Sequence, residues 1–301
     1  MASLHARLLE AFLRLSGAKA ITNMIDVVYP LDAKHAKPNW RLKLKHHVTR
    51  QECMGRTVYT ITPKTDVSSM HVYYLHGGAY YNGFIPPHWV FLDDLVTKTK
   101  CTVTAPDFPL APDATVDDIF AMVFPLYEQL AAKWGAKNLT VMGDSSGGGM
   151  SLVLAQKIRD AGLEQPKEVI LLSPWLDVTM TNPEIKESNR KDPYLGLHAC
   201  VSAGERYAKN DDPRRPDISP IYGTVDQLGP ITLFVGTHDI MLPDCRKLKS
   251  MAESTGIRFE YVEYPEMIHD WMMLQLPESE KARNEIGSLI QRPFRTEHLK
   301  K

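Results

Sequence analysis

From His71 onward the chain alternates short apolar runs with longer helix-patterned stretches, and this alternation restricts the fold more than any other feature of the sequence. Strand-like runs lie at His71 to Leu75, Thr102 to Ala105, Leu139 to Met142, Val169 to Leu172, Ile231 to Val235 and Phe259 to Tyr264. Helical patterns at Pro87 to Lys98, Val116 to Trp134, Met150 to Ala161 and Leu242 to Ser254 separate most of them. That order specifies a mostly parallel sheet with helices on both faces, an α/β architecture. Two earlier runs, Leu42 to Thr49 and Thr57 to Thr62, are joined by short turns, so they add antiparallel strands at one edge and bring the expected sheet to eight strands. Asp177 to Gly229, rich in Pro, Asn, Asp and Lys, is too long for a plain loop and reads as a helical cap over the carboxyl ends of the strands. The N-terminal helix has no place in the sheet and would complete that cap. A single domain over 1–301 is expected, with the cap formed by about 1–40 and about 177–229.

Within this frame Gly143-Asp144-Ser145-Ser146-Gly147 sits directly between an apolar strand and a helix pattern. A serine on so tight a turn needs unusual backbone angles, and small residues two before and two after it let strand and helix approach without a clash. The hydroxyl is thereby pushed out of the sheet. Ser146 does not fit the pattern, because the residue two before it is Asp144. A glycine and serine turn is the bland alternative for a bare motif, but the β-branched run before it and the helix after it meet the mechanical requirement.

A serine hydroxyl is a poor nucleophile and needs a base held by a carboxylate. Asp239 follows the strand Ile231 to Val235 through Gly236-Thr237-His238, and His269 follows Phe259 to Tyr264 through Pro265-Glu266-Met267-Ile268. Serine, then aspartate, then histidine, each at a strand's carboxyl end, is one of the three known chain orders of such triads. Asp244 is a second candidate carboxylate, though it lies inside the following helix pattern, where it would favour the helix N-terminus. His238 abuts Asp239 and cannot easily bridge it to Ser145. The loop His76-Gly77-Gly78-Ala79-Tyr80, directly after the strand His71 to Leu75, supplies candidate amides for an oxyanion at Gly77, Gly78 and Ala79, with Ser146 as the amide after the nucleophile. His76 would position that loop.

Composition excludes several other classes. The chain has 301 residues, 44% apolar and 24% charged, with a net charge of -1, which argues against a nucleic-acid surface. The basic stretch Lys34 to His47 carries Trp40, but Arg41, Lys43 and Lys45 alternate with Leu42 and Leu44, as in an amphipathic strand with a solvated lysine face. Cys53, Cys101, Cys200 and Cys245 are far apart and read as free thiols, and the eleven histidines lack metal-ligand spacing, so neither metal nor cofactor is expected. His46 and His47 would point to opposite faces of a strand. Residues 1–20 form an amphipathic helix without the unbroken apolar core of a signal peptide, and no run reaches membrane-spanning length. A cytoplasmic protein without stable membrane insertion is expected. Exposed edge strands would permit a homodimer.

His76-Gly77-Gly78-Ala79, Gly143-Asp144-Ser145-Ser146-Gly147-Gly148, Ser173-Pro174-Trp175-Leu176-Asp177, Asp239 and His269 together resemble the hormone-sensitive-lipase-like branch of the α/β-hydrolase fold. The match runs from about Tyr73 to Trp271 and includes Asp107-Phe108-Pro109-Leu110-Ala111-Pro112, similar to the family's D-Y-R-L-A-P stretch. The resemblance implies a carboxylesterase acting on small-molecule esters of short to medium acyl chains, with Ser145, Asp239 and His269 as triad and the amides of Gly78, Ala79 and Ser146 as oxyanion hole. Three departures stand out: Ala79 where the family has a third glycine, Phe108-Pro109 where it has a Tyr-Arg pair, and Glu266 and Asp270 where small residues are commoner. Carboxylates beside the histidine would raise its pKa unless water solvates both, the expected case. A peptidase or amidase on the same fold is the nearer alternative reaction, disfavoured because nothing suggests a site for a peptide amine. A non-catalytic binding protein on this fold is disfavoured because relatives of that kind lack the histidine.

Overall fold

The computed structural model describes residues 2–23 and 35–293. Its elements in chain order are α1 (Leu4–Leu15), α2 (Ala18–Asn23), α3 (Trp40–Lys45), β1 (His46–Cys53), β2 (Arg56–Pro63), β3 (His71–Leu75), α4 (Pro86–Thr99), β4 (Thr102–Pro106), α5 (Val116–Trp134), β5 (Leu139–Asp144), α6 (Ser145–Asp160), β6 (Glu168–Leu172), α7 (Ile185–Lys191), α8 (Leu197–Ala208), β7 (Ile231–Gly236), α9 (Leu242–Thr255), β8 (Phe259–Tyr264) and α10 (Pro277–Gln291). The strands form one eight-stranded sheet in the order β1-β2-β4-β3-β5-β6-β7-β8. Only β2 runs against its neighbours; every pairing from β4 to β8 is parallel.

Central strands buried on both faces read as unbroken apolar runs, and the pleat sorts their side chains. Tyr73, Leu75, Val141 and Leu171 point into a core closed by α5, α6 and α9 through Ile119, Val123, Leu152 and Leu248. Val72, Tyr74, Met142 and Ile170 point the other way, onto α4 and α10 through Phe91, Leu95, Ile286 and Ile290. Helix α10 was not anticipated from the sequence. Its signals are Pro277 at the first turn, Glu278 and Glu280 beside it, and apolar Ala282, Ile286, Leu289 and Ile290 at helical spacing.

The run Leu42 to Thr49 is not one strand. Trp40–Lys45 is a helical turn, and β1 begins at His46. Asn39 caps the helix by accepting from the Leu42 amide at 2.9 Å, Leu42 is fully buried, and Leu44 lies exposed, so the alternation there marked no sheet face. His46 is buried and His47 exposed, as opposite faces of a strand require. The four cysteines are free thiols.

Helices α1 and α2 meet the insertion between β6 and β7. Lys19 Nζ donates to the Asp192 carbonyl at 3.1 Å, Thr22 Oγ1 to the Tyr194 carbonyl at 2.6 Å, and Arg14 to the Lys191 carbonyl. Residues 24–34 of the expected cap lie outside the described residues. Among the described residues no helix is long and apolar enough to cross a membrane.

Candidate active site

Strand β5 passes into α6 with a single residue, Ser145, at φ 51°, in the left-handed region that side chains with a Cβ seldom adopt. The turn holds because the flanking glycines admit close backbone approach. A Cβ on Gly143 would run into the carbonyl of Gly147, and one on Gly147 into the carbonyl of Leu75. Trp175 N then donates to the Ser145 carbonyl at 2.9 Å and fixes the turn from the loop after β6.

The parallel sheet brings three strand ends to this point. His269, in the loop after β8, has Nε2 2.9 Å from Ser145 Oγ, and its Nδ1 lies 3.1 Å from both carboxylate oxygens of Asp239, in the loop after β7. Asp239 is fully buried and also accepts from Met241 N at 2.9 Å. A carboxylate facing Nδ1 selects the tautomer with the proton there, so Nε2 is left to accept from the serine hydroxyl. Burial disfavours the charged imidazole, yet the carboxylates of Asp239 and Asp270 outweigh it and hold the His269 pKa well above 6.5.

The rival residues fall elsewhere. Asp244 accepts from Asn182 Nδ2 at 2.8 Å, and burial pushes its pKa up to about 6. His238 Nδ1 lies 3.2 Å from Glu10 Oε2. Ser146 Oγ accepts from Tyr80 N at 3.4 Å.

Beside the serine, Gly78 at φ 130°, Ala79 at φ 54° and Tyr80 at φ 68° turn the loop after β3 back on itself. The amides of Gly78 and Ala79 meet no acceptor among the described residues. The Ser146 amide lies in the first turn of α6, where no intrahelical acceptor exists. Those are free donors of the kind a developing oxyanion needs. Ala79 occupies the left-handed region despite its methyl group. His76 Nδ1 donates to the Gly77 carbonyl at 2.8 Å, and its ring stacks on Phe108 at 4.2 Å. Burial, aided by nearby His88, lowers its pKa to about 3, so His76 holds the loop as a neutral ring. At the Phe108-Pro109 departure, the Phe108 ring thus packs flat against His76. A guanidinium still reaches the segment from β2, where Arg56 donates to the carbonyls of Asp107 at 2.8 Å and Phe108 at 3.1 Å.

Several neighbours were not singled out from the sequence. Asp144 accepts from Tyr74 Oη and from His88 Nε2, the latter at 3.2 Å. Asp192, between α7 and α8, accepts from the amides of Tyr194 at 2.7 Å, Leu195 at 2.8 Å and Ile240 at 3.0 Å, which ties the insertion to the Asp239 loop. Its local signal was Asp192-Pro193 just after a helix pattern, a turn rather than a site. Glu266 pairs with Arg7 at 3.3 Å near the surface, whereas Asp270 turns inward, its Oδ2 3.2 Å from His269 Nε2. The expected solvation therefore fails for Asp270, whose backbone lies in the left-handed region at φ 50° and whose carboxylate lies against the ring it follows.

Ser145 and His269 open on a cavity of about 290 Å³ whose walls include Ala79, Trp175, Tyr194, Leu195 and Met241. A larger groove of about 640 Å³, between Asp177 and Lys247, contains none of these groups. The cavity combines a hydroxyl within hydrogen-bond reach of an imidazole, free amides and largely apolar walls, an arrangement that can carry acyl transfer.

Residues 72–273 match the family described as alpha/beta hydrolase fold. An esterase of Acinetobacter venetianus is 28% identical over 220 residues, covering 72% of this chain and 73% of its own. An acetyl-hydrolase of Streptomyces hygroscopicus is 30% identical over 223 residues, with 72% and 74% covered. A solved hormone-sensitive lipase from a metagenome library superposes with a TM-score of 0.83 at 21% identity, covering 98% of this chain and 100% of that one, a likeness of fold.

Proposed function

Because this chain belongs to the alpha/beta hydrolase fold family, we propose that it works as a serine carboxylesterase with Ser145 as nucleophile, His269 as base and Asp239 as its orienting carboxylate. The chain is a carboxylic ester hydrolase, in keeping with its esterase and acetyl-hydrolase relatives. The observation that carries the residue assignment is the relay Ser145–His269–Asp239, with 2.9 Å and 3.1 Å between successive polar atoms.

In the first half-reaction Ser145 Oγ forms a bond to the ester carbonyl carbon as its proton passes to His269 Nε2. The carbonyl π pair moves onto oxygen, which takes hydrogen bonds from the amides of Gly78, Ala79 and Ser146; Gly77 serves the loop as the acceptor for His76. Collapse breaks the bond to the alcohol oxygen, which leaves with the Nε2 proton. Water repeats the sequence on the acyl-enzyme and releases the acid. Asp239 stabilises the imidazolium in both halves.

Helices α1, α2, α7 and α8 act as the cap that closes the cavity against water. The volume of about 290 Å³ and the walls formed by Tyr194, Leu195 and Met241 favour short to medium acyl chains. Purified protein is expected to hydrolyse p-nitrophenyl acetate, butyrate and octanoate, and Ser145→Ala to lose that activity by roughly a millionfold in kcat. Wild-type protein inert on all three esters would overturn the reading, and a fully active Ser145→Ala would overturn the nucleophile.

A further inference from the structure

The base of this site has a carboxylate on each of its ring nitrogens. Asp239 lies 3.1 Å from Nδ1, and Asp270 Oδ2 lies 3.2 Å from Nε2, the atom that must receive the Ser145 proton 2.9 Å away. We propose that Asp270 is a positioning residue that competes with Ser145 for Nε2 of His269, holding the imidazolium proton and delaying the nucleophile-ready state until that proton leaves. The inference rests on the esterase reading above and adds to it a control on when the base is free.

Three observations support it. The backbone of Asp270 is in the left-handed region, φ 50° and ψ 33°, and its carboxylate lies against the preceding ring. Asp270 N donates to Ser173 Oγ at 3.3 Å, which pins the residue in that pose. Its Oδ1 is buried without a partner among the described residues, which leaves His269 as the group its carboxylate faces, while about one-fifth of the side chain opens on the cavity. The carboxyl is pushed up to about 6, first by burial and against the pull of His269. Other groups around the pair are Asp144 from β5, with Tyr74 of β3 and His88 of α4 bonded to it, Asp239 after β7, Asp192 beyond α7 and Cys200 on α8. None of these donates a hydrogen bond to Asp270.

The proton balance is simple. With the imidazole charged, Nδ1–H points to Asp239 and Nε2–H to Asp270, and no lone pair is left for Ser145. Loss of one proton to solvent exposes the Nε2 lone pair beside an ionised or proton-sharing Asp270, and the serine hydroxyl can then donate to it. The acid limb of kcat/KM is therefore displaced upward by Asp270 as well as by Asp239.

The test compares pH profiles of kcat/KM on p-nitrophenyl butyrate for wild type, Asp270→Asn and Asp270→Gly. Glycine accepts the left-handed backbone, so this second variant keeps the loop if asparagine disturbs it. Both variants are expected to move the acid limb down by about one pH unit or more, which is about a tenfold gain in kcat/KM below the limb. In a Ser145→Ala background, the imidazole midpoint of His269 read by 15N NMR should fall on adding Asp270→Asn. A limb and an NMR midpoint that both stay within about 0.3 unit of the parent would overturn the inference, since a structural role lowers rates without moving a midpoint. An inert wild type would instead reject the esterase reading, and the NMR titration still decides the role of Asp270.

Discussion

His269 Nε2 and Ser145 Oγ meet at 2.9 Å across 124 residues of sequence. Only the serine's strained φ and the parallel register of β5 through β8 bring them there.

The pH dependence follows from His269 as the proposed base. Its active form is neutral, while Asp239 and Asp270 outweigh burial and hold its pKa well above 6.5. Activity should rise with pH through a midpoint above 6.5, and a kcat/KM midpoint at or below that value would contradict the geometry. Stability runs the other way. A raised folded pKa contributes stability that is fully present below 6.5 and lost as pH rises through the folded value.

Asp239 and Asp244 are separable. Asp239→Asn should lower kcat/KM by about ten-thousandfold, because an amide no longer selects the Nδ1–H tautomer. Asp244→Asn, which keeps an acceptor for Asn182, should stay within about threefold of wild type on the same esters. Comparable losses in both variants would remove Asp239 from its role.

Gly147 is a packing constraint before it is a motif. Its replacement by alanine drives a methyl group into the Leu75 carbonyl, backbone against backbone, with no side chain to move aside. Gly147→Ala should destabilise by about 3 kcal/mol or more, seen as a lower urea midpoint, and should cost activity through displacement of Ser145.

Asp192 fastens the insertion to the catalytic loop. Asp192→Ala leaves the buried amide of Ile240 without its acceptor, at about 1–3 kcal/mol, and frees the part-buried amides of Tyr194 and Leu195 to water at a smaller cost. Relief of a buried carboxylate offsets part of this, so a net loss of about 2 kcal/mol is expected by urea unfolding. Burial, with Asp239 nearby, raises the Asp192 pKa from 3.8 to about 6, so its contribution is full below 3.8 and fades as pH rises through about 6. Asp192→Asn should abolish that pH dependence.

Acyl preference should follow cavity length. Each methylene that finds wall adds about 0.8 kcal/mol, roughly fourfold in kcat/KM, until the space of about 290 Å³ is filled. A series of p-nitrophenyl esters should rise from acetate to a short or medium optimum and then decline. A steady rise through palmitate would place the acyl chain outside this cavity.

The alternating apolar and helical periods carried the sheet, since strands buried on both faces have no choice but unbroken apolar runs. The short helix Trp40–Lys45 departs from the expected strand because six residues do not distinguish a period of two from a helical turn. Helix α10 carries its signal in the Pro277 start and in the spacing of Ile286, Leu289 and Ile290.

For the site, the sequence by itself determined what is local: a tight turn at Ser145 flanked by glycines, a glycine loop after β3, and an aspartate and a histidine just beyond two successive strands. Each is a property of a few neighbouring residues and of the angles they tolerate. Tertiary structure alone decided what depends on distance between remote segments. It put Asp270 inward and Glu266 outward, joined Asp192 to Ile240, and brought Arg56 to the carbonyls of Asp107 and Phe108. Spacing along the chain cannot rank such carboxylates, because their protonation and partners are set by burial and by charges that arrive from other strands.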